Sequence, residues 1–158
     1  MNIFKFKRSI CRLCESKNLE MVIPLAPTPV AEKYLNKNQL NQEEIICPLD
    51  LYICKSCGHV QLLDIIDPKF LYSDYTYSSG NSIGLVKHFK EYADNIINKY
   101  KPEKNSLVVD VGSNDGTLLR FFKKYGLNVL GIDPAKEIAE KATTEGIKTL
   151  PEFMSIEL

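Results

Sequence analysis

The chain has 158 residues, 44% apolar and 25% charged, with 20 Lys plus Arg balanced by 20 Asp plus Glu. That length suits one domain or two small ones, and the composition excludes collagen, coiled coil and wholesale disorder. A formal charge of zero argues against a dedicated nucleic-acid or membrane-surface binder, and no run of ~18 apolar residues is present to span a membrane.

The first ten residues carry Lys5, Lys7 and Arg8 with no apolar segment behind them. We therefore read no secretory signal and expect a cytoplasmic protein. In that reducing compartment, metal ligation is favoured over disulfides for the five cysteines. Residues 1–72 are irregular and punctuated by Pro24, Pro27, Pro29, Pro48 and Pro68. Short strands are expected at Met21–Ile23 and Leu51–Ile53, with a polar loop from Asn36 to Glu44.

Two C-x2-C pairs stand in this region, Cys11-Arg-Leu-Cys14 and Cys54-Lys-Ser-Cys57. A thiolate pair at this spacing lies on a tight turn that aims both sulfurs at one ion. Two such turns make a tetrahedral four-cysteine Zn2+ site, structural because no position is left for water or substrate. Gly58 frees the backbone after the second pair. The 39 residues between the pairs need a loop or small hairpin to fill them. A redox pair is disfavoured because neither pair opens a helix after a strand. Cys47 fits neither pair and reads as a small core residue, and His59 reads only as a substitute ligand.

Residues 73–83 form a hydroxyl-rich loop containing Gly80. A helix follows from about Gly84 to Tyr100, with Leu85, Val86, Phe89, Tyr92, Ala93, Ile96, Ile97 and Tyr100 in a 3.6-residue stripe. Ser82 is its expected cap and Pro102 its stop. His88 falls on the apolar face, where a core histidine is at least as reasonable as a ligand. Residues 106–158 then alternate strand and helix. Strands are expected at Leu107–Val111, Asn128–Ile132 and Ile147–Leu150. Helices are expected at Thr117–Tyr125, with Leu118, Phe121, Phe122 and Tyr125 inward, and from Pro134 to about Thr144. This β-α-β-α-β run is the first half of a doubly wound, Rossmann-like sheet. Three strands leave an exposed edge, so another chain or a further segment is expected to complete the sheet.

The densest chemical signal joins the first of these strands to its helix: Val109-Asp110-Val111-Gly112-Ser113-Asn114-Asp115-Gly116-Thr117. Gly112 and Gly116 allow a tight turn beside a ligand, and Asn114 tolerates positive φ. Asp133 ends the second strand where an acid grips the two hydroxyls of an adenosine ribose, followed by Pro134. A dinucleotide site wants G-x-G-x-x-G and an anion at the helix start, but Asp115 stands there. S-adenosylmethionine carries a sulfonium and an ammonium, which Asp110 or Asp115 could favour. Helix capping by Asp115 and a turn role for Asp133 are the plain alternatives.

Four stretches resemble the sugar C-methyltransferases, which begin with a zinc-binding domain and act on nucleotide-linked deoxy-keto-sugars. They are the Cys11–Cys14 knuckle, PLDLYICKSCGHVQL from Pro48 to Leu62, DYTYSSGNS from Asp74 to Ser82, and VVDVGSNDGTLL through GIDPA at Asp133. The resemblance implies that Tyr75, Tyr77, Ser78, Ser79 and Ser82 contact cofactor or sugar. A tyrosine of this segment would donate a hydrogen bond to substrate. It also implies a catalytic acid–histidine pair in a C-terminal half, which these 158 residues do not contain.

The sequence is therefore expected to hold a zinc-binding domain (1–72), a hydroxyl-rich loop with a linking helix (73–105) and a partial Rossmann-like domain that binds S-adenosylmethionine (106–158). The whole is α/β with an incomplete sheet, inactive alone. A non-catalytic zinc-binding module that docks on a partner chain is the second reading, and an NAD-dependent enzyme is a weak third. No nucleic-acid or membrane partner is expected.

Overall fold

The computed structural model describes residues 4–73 and 75–158; Asp74 of the hydroxyl-rich motif and the first three residues lie outside the described residues. The chain divides into two units, Met1–Leu71 and Tyr72–Leu158.

The first unit is built from short antiparallel strands. β1 (Phe4–Lys7) pairs with β7 (Asp64–Ile66). β2 (Leu19–Ile23), β5 (Leu51–Cys54) and β6 (Val60–Leu62) form a three-stranded sheet in the order β2-β5-β6. The apolar runs read as strands at Met21 and Leu51 are its first two members. The long stretch between the cysteine pairs is closed by a ribbon, β3 (Thr28–Pro29) against β4 (Ile46–Cys47). Cys47 is buried in that ribbon, and burial, with the Asp64 charge, pushes its thiol up. A short helix, α1 (Pro68–Tyr72), had no counterpart in the sequence reading. Its signal was local: the Asp67 carboxylate accepts the Lys69 N–H at 2.9 Å, and Pro68 sits at the first helical position.

The second unit opens with a 3-10 turn, Ser79–Asn81, and α2 (Ile83–Tyr100). The Ser82 hydroxyl caps α2 by accepting the Leu85 N–H at 3.3 Å. Lys101, at φ 47, ends it before Pro102. Then come β8 (Leu107–Val111), α3 (Thr117–Lys124), β9 (Asn128–Ile132), α4 (Lys136–Thr144) and β10 (Thr149–Leu150). The strands are parallel in the order β10-β9-β8, in register from Leu107↔Asn128 to Val111↔Ile132.

The core of this unit gathers Ala93 of α2, Phe122 of α3 and Leu127, with Ile96, Ile97, Val108, Leu118, Phe121 and Val129 packed around them. Two parts of the expected helix faces differ. Tyr125 is exposed and donates its hydroxyl to Asp94, whereas the fully buried residue of α3 is Leu119. A helix wedged between a sheet and a second helix buries two stripes, and a single-stripe reading catches one. On α2 only Ala93 is buried, and Tyr92, Tyr100 and His88 are exposed. His88 is thus not a core histidine; its ring lies against those of Phe89 and Tyr92.

Side chains alternate across a strand, so Leu107, Val109 and Val111 stand on the face of β8 opposite Val108. They are 62%, 46% and 58% exposed. The helices cover one face of this sheet, and the β8 stripe of the other face is apolar and open.

Candidate functional site

Two constellations were singled out by sequence, one in each unit. In the first, the two cysteine knuckles repeat one backbone design. Glu15 N donates to Cys11 O at 3.0 Å, and Gly58 N donates to Cys54 O at 2.7 Å. The first cysteine of each pair donates its own N–H five residues on, Cys11 to Ser16 O and Cys54 to His59 O. Glu15 and Gly58 both adopt positive φ, 60° and 78°. Pairing of β2 with β5 sets Leu19 opposite Cys54 and brings the knuckles together. Lys55 N reaches Asn18 O, and the Ser16 and Ser56 hydroxyls meet at 2.8 Å.

The four sulfurs all lie within 4.8 Å of one another. Cys11 and Cys57 are 3.8 Å apart, Cys14 and Cys54 3.6 Å. A tetrahedral zinc with arms of ~2.3 Å has sulfur–sulfur edges of ~3.8 Å. The donor set therefore fits zinc in number, chemistry and size. Burial pushes the Cys11 thiol up, but backbone N–H groups of Cys14 and Leu13, the Gln61 side chain and Cys57 outweigh it and bring it to about 6. Cys57 gains a lowering hydrogen bond from the His59 backbone, yet its three sulfur neighbours and burial push it up to about 12. Four thiolates this close need a divalent cation to be held together. His59 contributes its backbone, and the cluster among the described residues is the four cysteines.

In the second unit the strand-to-helix loop is clasped to the hydroxyl-rich loop. Asp115 Oδ2 accepts the Ser78 hydroxyl and the Gly80 N–H at 2.5 and 2.8 Å. Its Oδ1 accepts the Thr117 N–H and hydroxyl at 3.0 and 2.6 Å. Asn114, at φ 50, accepts the Ser79 N–H through Oδ1 and donates from Nδ2 to Tyr77 O. Both side chains sequence reading placed against a ligand are thus occupied with the protein's own loop. The cap position of α3 is Gly116, and Asp115 caps from one residue earlier by taking the Thr117 N–H. A Cβ on Gly116 would come within 2.8 Å of Ile147, so glycine is required where α3 starts against the chain leading to β10.

Asp133 is buried, its oxygens accepting Asn114 N at 2.8 Å and Ala135 N at 2.9 Å. Pro134, between those two acceptor contacts, is half-buried. Asp110 lies on β8 opposite Gly131 of β9, two residues before Asp133. Burial first, then the Asp133 charge, pushes its carboxyl up. Two acids that feel each other's charge, neither in an ion pair among the described residues, make a locus for a positive group. Gly112, at φ 79, borders open space, since a Cβ there would meet nothing within 4 Å. Asp110, Gly112 and Asp133 are therefore brought together, with Asn114 and Asp115 behind them. Ser79 enters the clasp through its backbone, and Ser82 is spent on the α2 cap. Tyr75 packs its ring between Tyr72 and Tyr77, and Tyr77, 37% exposed, is held by its carbonyl. Sequence reading missed Ser78 as an Asp115 partner and Gln61 beside Cys11; both contacts span more than 35 residues and leave no local pattern.

A four-cysteine zinc-binding domain followed by a parallel α/β half-sheet defines the class, and the comparisons agree with it. Residues 11–72 match the family described as "Putative zinc binding domain". Over nearly its whole length the chain matches the N-terminal portion of the C-methyltransferase NovU of Streptomyces niveus, 29% identical over 148 residues. That alignment covers 94% of this chain and 35% of the relative; the chain spans about a third of the length of the curated relative it matches. No helix among the described residues is long and apolar enough to cross a membrane.

Proposed function

We propose that this chain is the zinc- and cofactor-binding part of an S-adenosylmethionine-dependent C-methyltransferase acting on a nucleotide-linked deoxy-keto-sugar in the cytoplasm. The observation that carries the reading is the Asp110 carboxyl, raised by burial and by the Asp133 charge, on the strand that runs into the open Gly112 turn, in a chain similar to a C-methyltransferase over 94% of its length. When bound, S-adenosylmethionine supplies an electrophilic methyl group on a sulfonium. Asp110 offers the charge that a cationic ligand needs. Asp133 holds the turn through the Asn114 and Ala135 amides, and its remaining lone pairs can accept ribose hydroxyls. The clasp made by Asn114 and Asp115 fixes the segment that presents Tyr77, whose phenol has no hydrogen-bond partner among the described residues and can donate to substrate. Zinc acts structurally, since four thiolates complete its shell.

The open apolar stripe of Leu107, Val109 and Val111 is a sheet face that further helices or a partner would cover, so these residues alone are expected not to turn over a keto-sugar. The same stripe favours a second reading, a non-catalytic module that docks on a partner chain. Calorimetric titration of the zinc-loaded protein with S-adenosylhomocysteine and with NAD tests the cofactor. Binding of the former alone supports the reading; binding of NAD, or of neither to a folded protein, removes it.

A further inference from the structure

The two zinc knuckles differ where the residue after the first cysteine donates: the Lys55 N–H goes to a backbone carbonyl, Asn18 O at 2.9 Å, and the Arg12 N–H to a side chain. In the first knuckle the Leu13 N–H also donates to the Cys11 sulfur, at 3.4 Å. The side chain that Arg12 reaches is the carboxamide of Gln61 on β6. Gln61 is 5% exposed, and its Oε1 accepts the N–H of Arg12, the residue after Cys11, at 3.0 Å. That bond fixes the amide plane. Its Nε2 is then buried with no hydrogen-bond partner among the described residues. A buried donor left unpaired is costly, and the bond to Arg12 holds it one residue from the Cys11 ligand. A neutral thiol is a poor acceptor, but a metal-bound thiolate carries charge and accepts N–H donors.

We propose that Gln61 is a positioning residue of the zinc centre, its amide oxygen locking the Cys11 knuckle through Arg12 while its NH2 donates to the Cys11 thiolate once zinc is bound. The consequence is an asymmetric site, in which the charge on Cys11 is damped by a side chain and that on Cys54 is not. Cys11 becomes the sulfur least prone to attack by electrophiles or to release of the metal. The inference rests on the zinc reading, which metal content of the unsubstituted protein tests separately.

The test uses the full chain loaded with zinc, and a second preparation loaded with 113Cd. In the cadmium form, the Gln61 side-chain amide protons should show scalar coupling to the metal. In Gln61→Leu, metal should be lost to a chelator on the order of tenfold faster, and alkylation should shift toward Cys11 relative to Cys54. Gln61→Glu keeps the acceptor for Arg12 but sets an anion against the sulfur, so it should release metal faster still. A folding defect alone would raise alkylation of all four cysteines together, and that outcome overturns the proposal. So does the absence of cadmium coupling, or a Cys11-to-Cys54 reactivity ratio that Gln61→Leu leaves unchanged.

Discussion

The Gly80 amide donates to the Asp115 carboxylate at 2.8 Å, and a Cβ on Gly80 would lie 2.9 Å from the same oxygen. That carboxylate is held by further donors from Ser78 and Thr117 and cannot swing away. Gly80→Ala should therefore detach the hydroxyl-rich loop from the Gly112–Gly116 loop. Asp115→Asn replaces one acceptor oxygen with a donor and should cost ~1.5–3 kcal/mol, the range for hydrogen bonds to a charged group. Chemical denaturation, with hydrogen exchange at the Gly80 amide, checks both.

The same residue sets a pH dependence. Burial raises the Asp115 carboxyl, but the donors from Ser78, Thr117 and Gly80 outweigh it and hold it below the usual range. A depressed folded value gives stability that is present above the unfolded pKa and lost as pH falls through the folded one. The clasp should hold at neutral pH and open only below about pH 4. In Asp115→Asn that acid-side loss should be smaller; an unchanged acid profile would show that other carboxylates carry it.

Asp110 has the opposite sign. Its carboxyl is raised by burial and by Asp133, so its ionisation opposes folding and stability falls as pH rises through its folded value. Asp110→Asn should make the ligand-free protein more stable at neutral pH, while binding of S-adenosylhomocysteine weakens at least tenfold. Thermal melts with and without ligand report both. A variant that binds normally would place the ligand's cation elsewhere.

Metal content is the next expectation. Wild type should carry about one zinc per chain, as a four-thiolate site implies. Cys54→Ser, at a fully buried ligand, should lose the metal and the strand signals of the first unit, leaving the helical signals of α2, α3 and α4. Atomic absorption and amide NMR read the two effects.

Glu15 and Gly58 occupy the same left-handed position in the two knuckles, with φ of 60° and 78°. A side chain there costs ~1–2 kcal/mol. Nothing lies within 4 Å of a Cβ on Gly58, so Gly58→Ala should destabilise the zinc-loaded protein by about that amount through the backbone alone. Glu15→Gly should stabilise it by less, because glycine also gains entropy in the unfolded chain. Denaturation midpoints of the two variants should move in opposite directions.

The amino-acid sequence by itself determined what depends on near neighbours. Cysteine spacing specified two metal knuckles, a 3.6-residue period specified α2, and Ser82 and Pro102 marked its ends through short-range backbone chemistry. The strand–loop–helix order from Leu107 onward specified a parallel α/β unit. Tertiary structure alone decided which side chains of the glycine loop are free. Asn114 and Asp115 have the right chemistry for a ligand, yet residues 77–80 meet them first, across 35 or more positions. It also decided that Leu119 rather than Tyr125 is buried, because α3 is covered on two sides. Gln61 became part of the metal centre only when β6 folded beside Cys11. Hydrogen bonds and packing between residues far apart in sequence leave no periodicity, and only the folded chain brings their partners within reach.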